Sequence, residues 1–371
     1  MTDAPTFEIF LAAPPGLETA LLDEAAERGF AAAAAVPGGV TVTGGWPEIW
    51  RANLELRGAS RVLVRIASFM AFHLAQLDKR ARKVPWAEFL RPGQAVKVEA
   101  TCRASKIYHA GAAADRIGAA ITDALGPSSS PDAPIRVLAR IEDNRVTISL
   151  DSSGDPLHRR GHKEAVGKAP MRETLAALFL RQCGYRGGEP VVDPMCGSGT
   201  FVIEAAEIAS GLLPGRIRRF AFEEFAGFDP AAWQEMRAGG KTVPGPPQFH
   251  GFDRDAGAIS AAEANAARAG VADVTAFCCQ PIGALAPPGG PPGLVIVNPP
   301  YGARIGNKKP LYALYGSFGE VMKTRFSGWR VGLVTSDPAL AHATTLPFAE
   351  TGPPVDHGGI RIRLYRTGPL G

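Results

Sequence analysis

Hydrophobic and polar positions along this chain switch repeatedly between a two-residue and a three-to-four-residue period. Residues 7–12 alternate as a strand, and 17–28 carry Leu17, Leu21 and Ala25 on one helical face. Gly38-Gly39 turns into a strand at 40–43. A second helix at 46–54 opens with Pro47 in its first turn, and a third strand follows at 61–69. This β-α-β-α-β order over 1–70 predicts a small ferredoxin-like α+β domain. The alanine run at 31–35 looks low-complexity but is short, and no function is assigned to it. Further on, the pattern predicts a helix at 74–84, a strand at 96–101, a helix at 112–125 and a hairpin of 135–141 with 145–150. Residues 151–170 form a loop-rich, basic connector, and a domain boundary is placed near 165. Beyond it, helices at 174–183, 200–210, 256–269, 311–325 and 338–343 alternate with strands at 191–192, 248–253, 273–279, 294–297, 330–335 and 359–366. Residues 211–249 read as an insertion rich in proline, glycine and aromatics. Such alternation predicts a doubly wound α/β sheet, mostly parallel, with an antiparallel last strand.

Composition narrows the class. With 371 residues the chain has room for two or three domains, and 46% hydrophobic against 20% charged residues describes a globular protein rather than a disordered one. No apolar run reaches the roughly 18 residues that span a membrane. The opening MTDAPTFEIFLAAPP holds an acid and no basic residue, unlike a signal peptide, so the expected location is cytoplasmic. Five cysteines, an odd number without C-x-x-C spacing, read as reduced and mostly buried thiols, and no metal site is expected. The net charge of +4 permits a nucleic-acid partner without requiring one. Basic residues gather at 79–83, 103–109, 136–145 and 158–163, some beside aromatics. That is the footprint of a phosphate-backbone reader, although solvated helix faces and loop charges produce the same pattern.

The chemistry concentrates after two predicted strands. Leu294 to Val297 is a short apolar run that stops at Asn298-Pro299-Pro300-Tyr301. Two prolines in a row exclude both helix and central strand, so Asn298 sits on a stiff loop at a strand's carboxyl end, where open α/β sheets bind ligands. A neutral side-chain carbonyl beside a backbone carbonyl suits an exocyclic amine on a planar ring. Together they accept both its N–H groups and offset the positive charge that grows as a methyl group transfers, while Tyr301 offers a face for stacking. A rigid turn closing a strand is the plainer reading of the same residues. The second stretch is Asp193-Pro194-Met195-Cys196-Gly197-Ser198-Gly199-Thr200. Its glycines allow a sharp turn and close backbone approach to a ligand, but it is neither a phosphate loop nor a dinucleotide fingerprint. Asp253 or Asp255, at the end of the next strand, suits the hydroxyls of a ribose. Asp253 lies nearer the strand, and Asp255 serves equally as a helix cap.

These stretches resemble known signatures. NPPY resembles the [N/D]-P-P-[Y/F/W] motif of class I S-adenosylmethionine (SAM)-dependent amino-methyltransferases, and DPMCGSGT resembles their motif I. Together with PPGLE (14–18), ANLELRGASRVLVRI (52–66), LDSSGDPLHRRGHKEAVGKAPMRETLAA (150–177) and GFDRDAGAI (251–259), they make the chain similar to THUMP-domain RNA methyltransferases. Within that group it resembles most the enzymes forming N2-methylguanosine in 23S ribosomal RNA. The resemblance implies a ferredoxin-like domain at 1–70, a THUMP RNA-binding domain and linker at 71–165, and a Rossmann-like class I methyltransferase domain at 166–371. It implies SAM as cofactor and RNA as partner, ribosomal or transfer. Asn298, Pro299 and Tyr301 are the expected catalytic residues. Asp193, Pro194, Cys196, Gly197, Ser198, Gly199, Thr200, Asp253, Gln280 and Asn298 are the expected cofactor contacts. Gln280 stands where many relatives place an acid for the adenine amine. Arg103, Lys106, Arg159, Arg160, Arg216, Arg218 and Arg219 are the candidate RNA contacts, with internal salt bridges as their alternative role. The best-known members carry a second methyltransferase domain. This chain ends at Gly371, so one activity is expected. Other NPPY substrates (adenine in DNA, a glutamine amide in protein) and a catalytically silent RNA-binding factor stand as competing readings.

Overall fold

A computed structural model describes residues 5–127, 130–164, 171–238, 248–301 and 309–371. The expected domain boundary at 165, Lys168 of the connector and residues 302–306 of the NPPYGARIG stretch lie outside the described residues. In chain order the elements begin with β1 (Phe7–Ala12), α1 (Glu18–Glu27), β2 (Ala31–Val36), β3 (Gly39–Gly44), α2 (Trp46–Glu55) and β4 (Arg61–Met70). Next come α3 (Leu74–Ala81), β5 (Val96–Arg103), α4 (Ala110–Leu125), β6 (Ile135–Glu142) and β7 (Arg145–Asp151). Then follow α5 (Glu173–Gln182), β8 (Val191–Asp193), α6 (Thr200–Ala209), α7 (Pro230–Arg237), β9 (Phe249–Asp253), α8 (Ala256–Ala269), β10 (Thr275–Cys279) and β11 (Leu294–Val297). The chain closes with α9 (Lys309–Arg325), β12 (Arg330–Thr335), α10 (Pro338–Ala343), β13 (Phe348–Thr351), β14 (Val355–His357) and β15 (Ile360–Thr367). No helix among the described residues is long and apolar enough to cross a membrane. Two compact units result.

The first unit lies within Met1–Ala13, Leu22–Leu157 and Arg218–Gly239. Its seven strands make one sheet in the order β2-β3-β1-β4-β7-β6-β5. The alanine run is therefore a strand, which adds a β to the expected first motif. Its edge position, paired to β3 from Ala35↔Val40 to Val36↔Gly39, supplies what alanine's weak strand preference does not. The expected break at residue 70 is not a break in the sheet, because β4 pairs antiparallel with β7 from Leu63↔Asp151 to Met70↔Arg145. Alternation places Val62, Val64, Val137, Ile141, Val146 and Ile148 on the buried face. Two of the stretches that carried the resemblance interlock here. Asn53 donates to Ser152 Oγ at 2.9 Å and accepts from Ser153 Oγ at 2.7 Å, while Ser153 Oγ also receives the Val62 N–H at 2.8 Å.

Residues 218–238, placed in the 166–371 segment by sequence, group by their packing with the first unit. Aromatic packing is the reason. Phe222 stacks on Phe220 at 5.2 Å, meets Trp233 edge-on at 4.9 Å and lies 6.2 Å from Trp50, while Phe225 lies 6.1 Å from Trp46. Each such pair contributes about 0.5–1.5 kcal/mol beyond the area it buries.

The second unit lies within Pro14–Leu21, His158–Ile217 and Gly240–Gly371. Its strands run β10-β9-β8-β11-β12-β15-β13, with β14 paired to β15. The first five are parallel, and β15 is antiparallel to both β12 and β13. The order reverses between β8 and β11, a topological switch point whose crevice opens at the carboxyl ends of the strands. Val192, Val295, Val297, Val331 and Leu333 share one core with Tyr315, Phe318, Met322 and Leu340 of α9 and α10.

The close approach of α9 to Thr344 rests on one glycine. A Cβ at Gly319 would run into the Thr344 carbonyl oxygen, whereas at Gly316 the nearest atom is 3.9 Å away. Gly319→Ala is expected to lower unfolding stability by about 1–3 kcal/mol. Gly316→Ala, in the same helix, should hold or raise it by up to about 1 kcal/mol. Urea unfolding of the two variants reads the contrast, and equal effects would contradict this packing.

Candidate active site at the carboxyl ends of the strands

The glycine turn after β8 is locked from several sides. Cys196 N–H donates to the Phe252 carbonyl at 2.8 Å, and Gly199 N–H to the Cys196 carbonyl at 2.9 Å. Gly199 has φ +85, and a Cβ there would lie 3.1–3.2 Å from Ala262, Ile203 and Phe277, so only glycine fits without displacement. Gly197, at φ +52, faces open space instead, and a Cβ there would meet nothing within 4 Å. Asp253 Oδ2 accepts the Gly197 N–H at 3.0 Å, and its Oδ1 accepts the Asp255 N–H at 3.0 Å. Asp255 itself caps α8 by accepting from Gly257 and Ala258, which leaves Asp253 as the acid facing the turn. Asp193 ends β8, is buried, and accepts the Met195 N–H at 3.1 Å. Burial, reinforced by nearby Asp253, pushes its carboxyl up to about 8. Gln280 is half-buried and joins the same edge through its backbone N–H, which donates to the Asp253 carbonyl at 2.9 Å.

The other wall is built by β11. Asn298 lies one residue past it, with Pro299 buried behind. Asn298 Oδ1 is buried and has no hydrogen-bond partner among the described residues. Burying an amide oxygen without a donor costs about 1–3 kcal/mol, so the position is set by the fold around it rather than by its own bonding. The loop's support is Tyr315 of α9, whose hydroxyl lies 3.4 Å from the Pro300 carbonyl and 3.3 Å from Thr335 Oγ1. Tyr301 and Met195 both pack on the core beneath, which brings the two motifs onto one apolar floor. Burial pushes the Tyr301 phenol up to about 12, so it presents a neutral ring rather than a base. Cys196 is buried like Cys183, but Cys278 and Cys279 are exposed at the end of β10, against the expectation of mostly buried thiols. The described residues contain no group of three or more metal-ligating side chains.

The structure separates the candidate RNA contacts into two groups. Arg103, Lys106, Arg159 and Arg219 are exposed, Arg103 and Arg219 each at 82% of the side chain. Three others are corrected to internal roles. Arg160 is 1% exposed and meets Glu204 at 3.2 Å and Glu207 at 3.7 Å. Arg216 meets Glu207 at 2.6 Å. Arg218 is buried and donates to the carbonyls of Ser153, Asp155 and Pro156. The physical cause of the first two is α6, an apolar helix carrying two fully buried acids that require cations. Those acids, Glu204 and Glu207, escaped the sequence reading. Two charges in TFVIEAAEIA, three residues apart on an otherwise apolar helix, were the signal available.

A five-strand parallel sheet with a reversed order, a glycine turn after its first strand and NPPY after its fourth define a class I methyltransferase domain. The chain belongs to the RMKL-like methyltransferase family, whose methyltransferase-domain model matches residues 160–350. An RlmL ferredoxin-like domain matches 8–63 and a THUMP domain 72–151. It is similar to two proteins named ribosomal RNA large subunit methyltransferase K/L. One, from Syntrophotalea carbinolica, is 38% identical over 363 residues, covering 91% of this chain and 50% of that protein. The other, from Chromohalobacter salexigens, is 34% identical over 363 residues, covering 91% of this chain and 49% of that protein. The chain thus spans about half the length of these relatives. Among solved structures it is similar to SMU.472 complexed with SAH, with TM-score 0.90 and 25% identity, covering 99% of each chain.

Arg160→Met is expected to lower stability by about 3–5 kcal/mol, because it takes a buried guanidinium away from Glu204 and leaves Glu207 with Arg216 in place of two cations. Thermal and urea unfolding measure this. A variant with wild-type stability would return Arg160 to the RNA-contact group.

Proposed function

We propose that this chain transfers a methyl group from SAM to the exocyclic N2 amine of a guanine in RNA, with 23S ribosomal RNA as substrate and transfer RNA as the alternative. The observation that carries the reading is Asn298 Oδ1 at the switch point, buried and without a hydrogen-bond partner among the described residues. Asn298 Oδ1 and the Pro299 carbonyl accept the two amine N–H groups. This localises the nitrogen lone pair, otherwise delocalised into the ring, and offsets the charge that develops on nitrogen. Tyr301 provides the stacking face. No residue with a specially tuned pKa is needed to remove a proton before attack, since the amine loses its proton after the new C–N bond forms.

The residues around the glycine turn fit SAM. A carboxyl held up to about 8 by burial, as Asp193 is, ionises readily only beside a cation, and the amino group of the methionine moiety is one. The open side of Gly197 leaves room for that moiety. Asp253 keeps lone pairs for ribose hydroxyls after accepting two backbone N–H groups. Pro194, Cys196, Ser198, Gly199 and Thr200 shape the turn, and Gln280 lies at the adenine end. When bound, SAM supplies a methyl carbon on a positively charged sulfur, which leaves as a neutral thioether.

RNA as substrate is supported within the first unit. Lys106 Nζ sits 5.5 Å from the centre of the Phe72 ring, and Phe72 and Tyr108 are exposed at 42% and 84%. A groove of about 600 Å³ nearby is lined by Phe69, Gln76, Lys79, Arg80 and Lys83, with no acid among its lining residues. Cations beside exposed rings suit phosphates and bases together. In this reading the segments 1–70 and 71–165 hold RNA, and 166–371 carries the chemistry.

Asn298→Ala should abolish methyl transfer to RNA while SAH affinity changes less than about threefold. Labelled SAM, separate ribosomal and transfer RNA fractions and nucleoside digestion read the product, and calorimetry reads SAH binding. Surviving turnover would sink the role given to Asn298, and label in another nucleoside would replace the substrate.

Asp193 also predicts a pH dependence. Its carboxyl is protonated in the free protein below about 8 and ionised when paired with a cation. Binding therefore releases a proton, and SAH affinity should rise from pH 6 to pH 8 and level off above. Titrations in two buffers of different ionisation enthalpy count the proton. A flat profile would remove Asp193 from the site.

A further inference from the structure

The basic connector ahead of the methyltransferase sheet has a use inside the second unit that its composition does not suggest. Lys163 is 11% exposed, and its ammonium donates to Thr200 Oγ1 at 2.8 Å and to the Met171 carbonyl at 2.8 Å. It also pairs with Glu173 at 3.2 Å. Thr200 is the first residue of α6, immediately after the glycine turn. One residue earlier, the His162 carbonyl accepts from Arg268 Nε at 2.7 Å. Arg268 in turn donates to Asn265 Oδ1, and the fully buried Asn265 donates its amide to the Ser198 carbonyl at 3.1 Å. The strap 162–163 thus reaches both sides of Gly199: Ser198 through Arg268 and Asn265, and Thr200 through Lys163. Arg160, two residues before, anchors the same strap to the middle of α6.

Gly199 itself supplies no rigidity, since a glycine in the left-handed region holds that conformation only when its neighbours are fixed. The turn must keep Gly197 open and Gly199 closely packed at once. The hydrogen bonds that hold its two flanking residues come from Lys163 on the strap and Asn265 on α8, outside the glycine turn itself.

We infer that Lys163, with the Arg268–Asn265 pair, is a positioning element that holds the glycine turn in its cofactor-binding shape. This rests on the reading of that turn as the SAM site. Lys163 touches neither cofactor nor substrate, and it acts through Thr200. Its loss should therefore weaken cofactor binding and leave the chemical step intact.

The test is calorimetric titration of the full chain with SAH, alongside steady-state methylation. Lys163→Met should weaken SAH binding about tenfold, with a matching rise in KM for SAM and a kcat at saturating SAM within about twofold of wild type. It also strands Glu173, which alone would lower stability. The double variant Lys163→Met with Glu173→Gln removes that stranded charge, so its Tm should recover while its SAH affinity stays low. If affinity recovers together with Tm, Lys163 is only a structural cation and the inference falls. A fall in kcat at unchanged KM overturns it equally. Wild-type protein that fails to bind SAH sinks this inference and the cofactor reading together. Wild-type binding with an unaffected double variant sinks this inference alone.

Discussion

Two residue pairs, Leu294↔Val191 and Val295↔Val192, join β11 to β8, and the candidate site depends on that junction. Sheet order reverses there, so the helices that follow the two strands are carried to opposite sides and a crevice is left at their carboxyl ends. Asp193 and Asn298 each end or just follow one of the paired strands, which brings an acid and a neutral acceptor to neighbouring strand ends. Both prolines and both glycines serve this junction. The prolines stop β11 sharply, and the glycines let the chain turn back from β8 into α6 within a few residues. The apolar floor shared by Met195 and Tyr301 then keeps the two loops at a common level.

Charge is distributed by a different constraint. Helix α6 is nearly all apolar, yet Glu204 and Glu207 are 1% and 0% exposed. Two buried carboxylates are tolerable only if cations come to them, and the connector supplies Arg160 while the segment after α6 supplies Arg216. The same constraint operates in the first unit, where Asp151 is fully buried and meets Arg61 and Arg136. Burial nevertheless raises the Asp151 carboxyl, the two guanidinium groups and two backbone N–H groups only partly opposing it.

Most of the architecture was legible in the sequence because periodicity is a local property. The strands at 294–297 and 330–335 and the helices at 256–269 and 338–343 fall where the pattern put them. What local periodicity left open or placed otherwise was decided by packing and ion-pair partners elsewhere in the chain. An alanine run becomes a strand because β3 offers it an edge. An aromatic insertion joins the first unit because Trp46 and Trp50 are there to receive it. Arg160 and Arg216 looked like phosphate contacts because the acids that claim them lie more than forty residues away in one case and nine in the other. Even so, the acids were visible. Charged residues on the apolar face of a helix announce a buried partner, and counting that demand before assigning surface cations would have moved both arginines inward. Asp255 illustrates the opposite case: its role as helix cap is local, and so the sequence alone offers it alongside the alternative.

Each of the two strand ends carries a buried polar group whose bonding is incomplete among the described residues. Asp193 is buried, and burial together with nearby Asp253 raises its carboxyl to about 8. Asn298 Oδ1 is a buried acceptor without a donor among the described residues. The residues that brace the glycine turn are provided for: Asn265 bonds Ser198 and Arg268, and Lys163 bonds Thr200, Met171 and Glu173. Incomplete satisfaction at the opening is a stability cost of the order of 1–3 kcal/mol per polar group, which the large apolar core beneath can offset. It also defines what relieves it. One wall asks for a positive charge and the other for N–H donors. Under the proposed function, a cationic cofactor would answer the first demand and an amine-bearing base the second, so the groups that cost stability there would also choose the ligands.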